Sequence, residues 1–270
     1  MTKYGDTWQK KCEIEVMTEN TQIFLWRVLV AIGLLGSWEI SSGLLFDSFW
    51  LSQPSEIAVY LRDAALSGQL YSDLSATFSA TAYGYVLGAV FGLFFGLILS
   101  QSERIALILR PFIMAIYGIP RIALAPIFIL WFGIAMTSKI MMAAMMTFMY
   151  VFFNTYEGIR ASDLELKNVA RVLGANRFQL FWYVTLPNAS PWIIAGLRIA
   201  IPQSLVAAVV AEFIASTGGL GYRLMETTSS LDTPGTMAGI FILMVIVMGL
   251  NSGLDKGENY ILKWRPKDEK

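Results

Sequence analysis

From Leu74 to Ser102 the chain carries no Asp, Glu, Lys or Arg; the flanking charges are Asp73 and Glu103. A helix needs only about 20 predominantly apolar residues to cross the hydrocarbon core of a bilayer. Composition agrees that lipid is the solvent. Of 270 residues, 56% are hydrophobic and 15% charged, against roughly 25% charged in a soluble domain. A chain of this length has too little interior to hide so much apolar surface from water. The fold class implied is an all-α integral membrane protein.

Further apolar runs bring the expected total to about six transmembrane helices. One lies between Asp232 and Asp255; two more, Ile122–Ser138 and Ile140–Tyr156, flank Lys139 near the lower length limit. Ile23–Ile40 is interrupted by Arg27 and Glu39, and Pro191–Phe213 by Arg198 and Glu212. The stretch Asp47–Asp73 leaves room for a short surface helix, Ser55–Ser67. Around the third span, Arg110, Pro111, Pro120, Arg121 and Pro126 allow either one kinked helix or a surface segment, Ile105–Gly118, ahead of the crossing. The second keeps both arginines at the membrane interface rather than in lipid.

Charge predicts the orientation. With the N-terminus inside and six spans alternating, Lys3, Lys10, Lys11, Arg104, Arg160, Lys167, Arg171, Arg177, Lys256, Lys263, Arg265, Lys267 and Lys270 fall on the cytoplasmic side. Arg62, Lys139 and Arg223 fall outside, as the positive-inside rule expects. Residues 1–22 then form a cytoplasmic segment, 23–255 the transmembrane domain with a cytoplasmic loop at 158–190, and 256–270 a cytoplasmic tail. Ile23–Ile40 follows a polar stretch with Glu13, Glu15 and Glu19 and precedes no A-x-A site, so a retained helix is expected rather than a signal peptide.

Several chemistries are excluded. Histidine is absent and Cys12 is the sole cysteine, which removes His-based catalysis, His-ligated zinc and any internal disulfide. Twenty Lys+Arg balance twenty Asp+Glu, so charge gives no argument for nucleic acid. No G-x-x-x-x-G-K-[ST] occurs, so the chain carries no Walker-type ATP site of its own, and whatever energy it uses is supplied by something else. No catalytic residue, metal or cofactor is expected.

Small residues recur every four positions at Ala76, Ala80, Gly84, Gly88, Gly92, Gly96 and Ser100. Such spacing lets helix backbones approach closely, either within one subunit or along a homodimer seam. In the loop 158–190, Ser162-Asp163-Leu164-Glu165 fits a capping box. Its helix would stop at Gly174, a position needing no Cβ. Asn176-Arg177-Phe178-Gln179 restarts a helix by the same device, and Leu186-Pro187 is expected to end it. The resulting helix–Gly–helix knuckle offers Val169, Ala170 and Leu173, beside Arg171, to a partner or to lipid headgroups.

Asn168-Val169-Ala170-x-x-x-Gly174, nine residues, then Val184-x-Leu186-Pro187 resembles the E-A-A-x-x-x-G-x₉-I-x-L-P loop of ABC importer permeases. Pro120–Pro126 with Leu130–Gly133, and Ala195–Arg198 with Ala211–Phe213 and Gly219–Tyr222, extend the resemblance to the nitrate/sulfonate/taurine/bicarbonate branch. It covers Leu74 to Leu254. Asn168 and Val169 stand where that family has Glu and Ala. The resemblance implies a type I importer permease (MetI-like) fold in a prokaryotic inner membrane, and a pathway made by two copies. It further implies that Asn168, Val169, Ala170, Arg171, Leu173, Gly174, Leu186 and Pro187 form the loop docked on separate ABC ATPase subunits. An external substrate-binding protein would deliver the cargo, a small anion such as a sulfonate, nitrate or bicarbonate. A vitamin precursor or aromatic compound is the alternative within the class, and an ion-gradient-driven transporter the rival outside it.

Other signals point less far. Met141, Met145 and Met149 stand one turn apart in a methionine-rich span, fit for packing or for a neutral pathway lining. Soft thioethers can bind copper(I), but no Cys or His accompanies them, which argues against a copper site. Thr217-Gly218-Gly219-Leu220-Gly221 follows a membrane helix rather than a strand, so it reads as a turn or entrance loop, not a phosphate loop. Glu39 and Glu212 read as interfacial or gate residues. Arg198 reads as snorkelling or as attracting an anion in the pathway.

Overall fold

The computed structural model describes residues 3–45, 47, 49–100, 103–162 and 164–261. Among these the order is α1 (Lys3–Leu44), α2 (Pro54–Leu66), α3 (Gln69–Ser100), α4 (Glu103–Tyr117), a 3₁₀ turn (Arg121–Leu124), α5 (Ala125–Phe132) and α6 (Met136–Arg160). Then come α7 (Leu164–Val172), α8 (Arg177–Leu180), a π-helical turn (Phe181–Thr185), α9 (Leu186–Ile214), α10 (Leu220–Ser229) and α11 (Thr233–Ile261). Asp163 of the first expected capping box and the tail from residue 262 lie outside the described residues.

Among the described residues four helices are long and apolar enough to cross a membrane: Gln69–Ser100, Met136–Arg160, the continuous Arg177–Ile214, and Thr233–Leu254. A bent pair, Leu107–Tyr117 with Arg121–Phe132, meets the same test at an 82° break. The expected Ile23–Ile40 run lies inside α1, where Leu25, Trp26, Leu29 and Leu34 are exposed. Glu39 ties α1 to α2, accepting from the Ser55 N–H (3.0 Å) and hydroxyl (2.6 Å) in the first turn of α2.

The core is α6 packed against both α3 and α9, which also touch each other. The small-residue stripe faces α6. A Cβ at Gly92 would lie 2.9 Å from Val151 Cβ, and one at Gly96 2.8 Å from Thr155 Cβ. At Gly84 and Gly88 it would overlap Ala143 and the Ala144 carbonyl. The stripe therefore seats two backbones of one chain. Alanines serve the same end where three helices meet, as with Ala80, Ala143 and Ala208.

These contacts advance along α3 and α6 in the same direction, so the two helices are parallel. The chain must return between Ser100 and Met136, and α4 with α5 is that return. The expected crossing Ile122–Ser138 is thus corrected. It is cut at Gly133, where φ is +78°, and α6 begins at Met136 with Lys139 inside it. The break at Gly118–Pro120 puts Arg121 beside Tyr150, well within α6, rather than at its end. A second correction concerns Leu186-Pro187, which ends nothing. A proline in a helix lacks an N–H and clashes with the carbonyl four residues back. Here the π-helical turn just before it reorganises the ladder. Pro187 then falls in the first turn of α9, where a missing N–H costs little.

Candidate functional site

Two constellations stand at opposite ends of the α6–α9 pair. The first is the knuckle between these helices. Gly174 takes φ +84°, and Ala175 N–H bonds the Ala170 carbonyl while Gly174 N–H bonds that of Arg171, both at 3.0 Å. This is a Schellman closure, which satisfies the carbonyls orphaned at the end of α7. Asn176 then accepts from Gln179 N–H (2.8 Å) while Gln179 Oε1 accepts from Asn176 N–H (2.9 Å), a reciprocal capping box. The Ser162 hydroxyl is turned to the carbonyls of Gly158 (3.4 Å) and Thr185 (3.5 Å).

The knuckle presents an apolar surface: Val172 is 88% exposed, Leu173 81%, and Val169 57%. Leu166, Val169, Leu173, Tyr183 and Pro187 line a groove of about 470 Å³ beside it. Ala170 and Leu186 are half-buried, while Asn168, Arg171 and Gly174 are exposed. Asn168 Oδ1 accepts from Arg171 Nη1 at 3.2 Å, so the residue at the family's Glu position is engaged within its own helix. Partial burial, and then the like charge of Arg171, lower the pKa of the Lys167 ammonium.

The second constellation is a polar clamp that sequence reasoning missed. Glu212 of α9 is fully buried. It accepts from the Thr77 hydroxyl of α3 (2.8 Å), from Gly221 N–H (3.0 Å), and from Lys139 Nζ of α6 (3.4 Å). Lys139 also donates to the Gly218 carbonyl at 2.6 Å. Asp73 accepts from Gly219 N–H and from Arg223 Nε, each at 3.1 Å, and Leu220 N–H donates to Thr77 Oγ1 at 2.9 Å. The glycine-rich stretch is therefore the N-terminus of α10, its orphan N–H groups taken up by acidic and hydroxyl side chains of neighbouring helices. Only glycine fits at 219, where a Cβ would overlap the Glu212 carboxylate. Glu212, expected at an interface or gate, is sealed inside the subunit, and Lys139, expected in a loop, is buried with it.

Of the other expected pathway residues, Met149 is buried with Ile113, Phe152, Phe153 and Tyr156. Met141 and Met145 are half-buried against core clusters, and Arg198 is half-buried on α9. No group of three His, Cys, Asp or Glu that could hold a metal is found among the described residues.

Long apolar helices packed through glycine and alanine, with an exposed knuckle at one end, define a membrane-embedded helical subunit. The profile of the family described as "Binding-protein-dependent transport system inner membrane component" matches residues 84–255. The chain belongs to that family, the permease subunits of ABC importers, and is a non-catalytic, multi-pass inner-membrane component. It is 35% identical to formylaminopyrimidine transport permease protein ThiX of Halalkalibacterium halodurans, over 87% of this chain and 93% of that one. It is 34% identical to the putative aliphatic sulfonates transport permease protein SsuC of Bacillus subtilis (88% and 87%). Against the riboflavin transport system permease protein RibX of Chloroflexus aurantiacus the figure is 36% (81% and 82%). The crystal structure of an amino acid ABC transporter with histidines shares the fold, at TM-score 0.61 and 22% identity over 74% of this chain and 97% of that one. The ion-gradient alternative falls away.

Proposed function

We propose that two copies of this chain form the pathway of an ABC importer, and that the knuckle docks on a separate ATPase subunit. The observation that carries this reading is continuity. The exposed apolar face of α7 is held by the Gly174 closure and the Asn176 box to a helix that runs unbroken from Arg177 to Ile214. A displacement at Val172 and Leu173 is therefore transmitted into a membrane span. In this reading Asn168, Val169, Ala170, Arg171, Leu173 and Gly174 meet the ATPase, and Leu186 and Pro187 pass the movement on. The knuckle and both termini are cytoplasmic by the distribution of Lys and Arg. A binding protein delivers cargo at the clamp end.

The cargo we favour is a small anion, a sulfonate, nitrate or bicarbonate, in keeping with the sulfonate relative. An uncharged vitamin precursor is the second reading, favoured by the names of the formylaminopyrimidine and riboflavin relatives. Uptake by the whole importer of ethanesulfonate against riboflavin separates them.

The coupling test is Gly174→Val. Space around Gly174 is open, so the change acts through backbone strain, about 1–2 kcal/mol for a left-handed L-residue. ATPase co-purification and uptake should both fall, while Gly174→Asn, which tolerates that conformation, should retain most of each. Undiminished docking and uptake in Gly174→Val would sink the proposal.

A further inference from the structure

The return crossing carries an arginine, Arg121, whose charge no described residue neutralises. Arg121 Cζ lies 4.8 Å from the ring centre of Tyr117 and 4.9 Å from that of Tyr150. Among the described residues its guanidinium makes neither a hydrogen bond nor an ion pair. Tyr150 stands ten residues before Arg160, the end of α6, roughly 15 Å along an axis of 1.5 Å per residue. That depth is close to the middle of a hydrocarbon core about 30 Å thick. Arg121 is also near the middle of the segment between Ser100 and Met136 that returns across the membrane. Ionisable groups at such depth are expensive, and mark pathways when no internal partner explains them.

Two aromatic rings hold the flat cation within cation–π range while leaving its N–H edge without an acceptor among the described residues. That edge is a fork matched to two oxygens of a carboxylate, sulfonate or nitrate. Arg198 lies at nearly the same level. Gly196 of α9 packs on α6 where a Cβ would sit 3.3 Å from the Tyr150 carbonyl, and Arg198 follows two residues on. A lipid phosphate offers the same chemistry, but roughly 15 Å exceeds the reach of one side chain to the headgroups.

We propose that Arg121, clamped by Tyr117 and Tyr150 at the helix break, is the point in the pathway that recognises the oxyanion of the cargo. This rests on the pathway reading above and deepens it by assigning the residue that selects an anion.

The test uses the complete importer with its ATPase and binding protein, reconstituted in vesicles, with ethanesulfonate and riboflavin as probes. Arg121→Gln should lower ethanesulfonate uptake at least tenfold with ATPase co-purification unchanged. Arg121→Lys, keeping charge but losing the fork, should raise the KM several-fold with the maximal rate nearly intact. Full ethanesulfonate uptake by Arg121→Gln overturns the proposal. If Arg121→Gln does not assemble, Arg121→Lys decides: a fall in maximal rate at unchanged KM means a structural role only and overturns it. A defect seen in vesicles containing phosphatidylglycerol but absent in pure phosphatidylcholine assigns the site to a lipid phosphate and overturns it. A wild-type importer that takes up riboflavin but not ethanesulfonate refutes the anion site and leaves the pathway reading standing. If no ATPase associates with the wild-type chain, the pathway reading itself fails.

Discussion

The two ends of the α6–α9 pair solve opposite problems. At the clamp, Glu212, Lys139, Asp73 and Thr77 are almost wholly buried, and each polar group is met by another from a different helix. At the knuckle, large apolar side chains stand in the open on a turn whose backbone is closed entirely by its own neighbours. The clamp is completed within the subunit. The knuckle is rigid but incomplete, and its exposed face needs something outside. Stability and coupling should therefore separate between the two ends, and mutations at each provide the means to break that comparison.

The largest effect is expected at the clamp. Lys139→Met leaves the Glu212 carboxylate buried without its cation, and breaking a buried pair from one side costs about 3–5 kcal/mol. Thermal unfolding of the detergent-solubilised complex should show it. Adding Glu212→Gln should restore much of the loss, since the amide still accepts from Thr77 and Gly221. A double variant as unstable as the single one would mean that the ion pair is not what closes this end.

How much of this was legible depends on the distance along the chain over which each feature is decided. The Gly174 closure and the Asn176–Gln179 box are settled within five residues, so pattern alone located them. The small-residue stripe announced close packing but not its partner, because Ala144 and Thr147 become neighbours of Gly88 only after the chain has crossed back. In the sequence Lys139 reads as a loop marker, because a lone charge does not belong in a span. Its partner, Glu212, is 73 positions away, and pairing reverses that rule. Asp73 and Gly219 are 146 apart. Pro187 read as a stop because the π-helical turn that accommodates it has no sequence signature. Arg121 reads as interfacial for the same reason as Lys139: the cost of a buried charge is visible in the sequence, and the Tyr117 and Tyr150 rings beside it are not.

A smaller effect on stability is expected where the knuckle holds itself. Asn176→Ala removes the acceptor for Gln179 N–H, and loss of such a cap costs about 1 kcal/mol. The cost is confined to a local turn, so global unfolding should move little. Hydrogen exchange over residues 174–182 should accelerate severalfold, and uptake should fall with it. Exchange that speeds while uptake holds would show that the link between knuckle and span need not be stiff.

The smallest change in stability should accompany a large change in coupling. Leu173 makes little use of the subunit's own packing at 81% exposure. Surface substitutions of this kind usually shift stability by less than about 0.5 kcal/mol. Leu173→Ser should therefore leave the unfolding midpoint of the isolated permease unchanged. If the exposed face is the contact that the ATPase buries, the same variant should lose ATPase in co-purification, since apolar anchors near an interface centre dominate its affinity. The clamp variant Lys139→Met, assayed at a temperature where it remains folded, should retain its ATPase. If Leu173→Ser keeps its ATPase and Lys139→Met loses it, the division between a closed end and an open end is wrong.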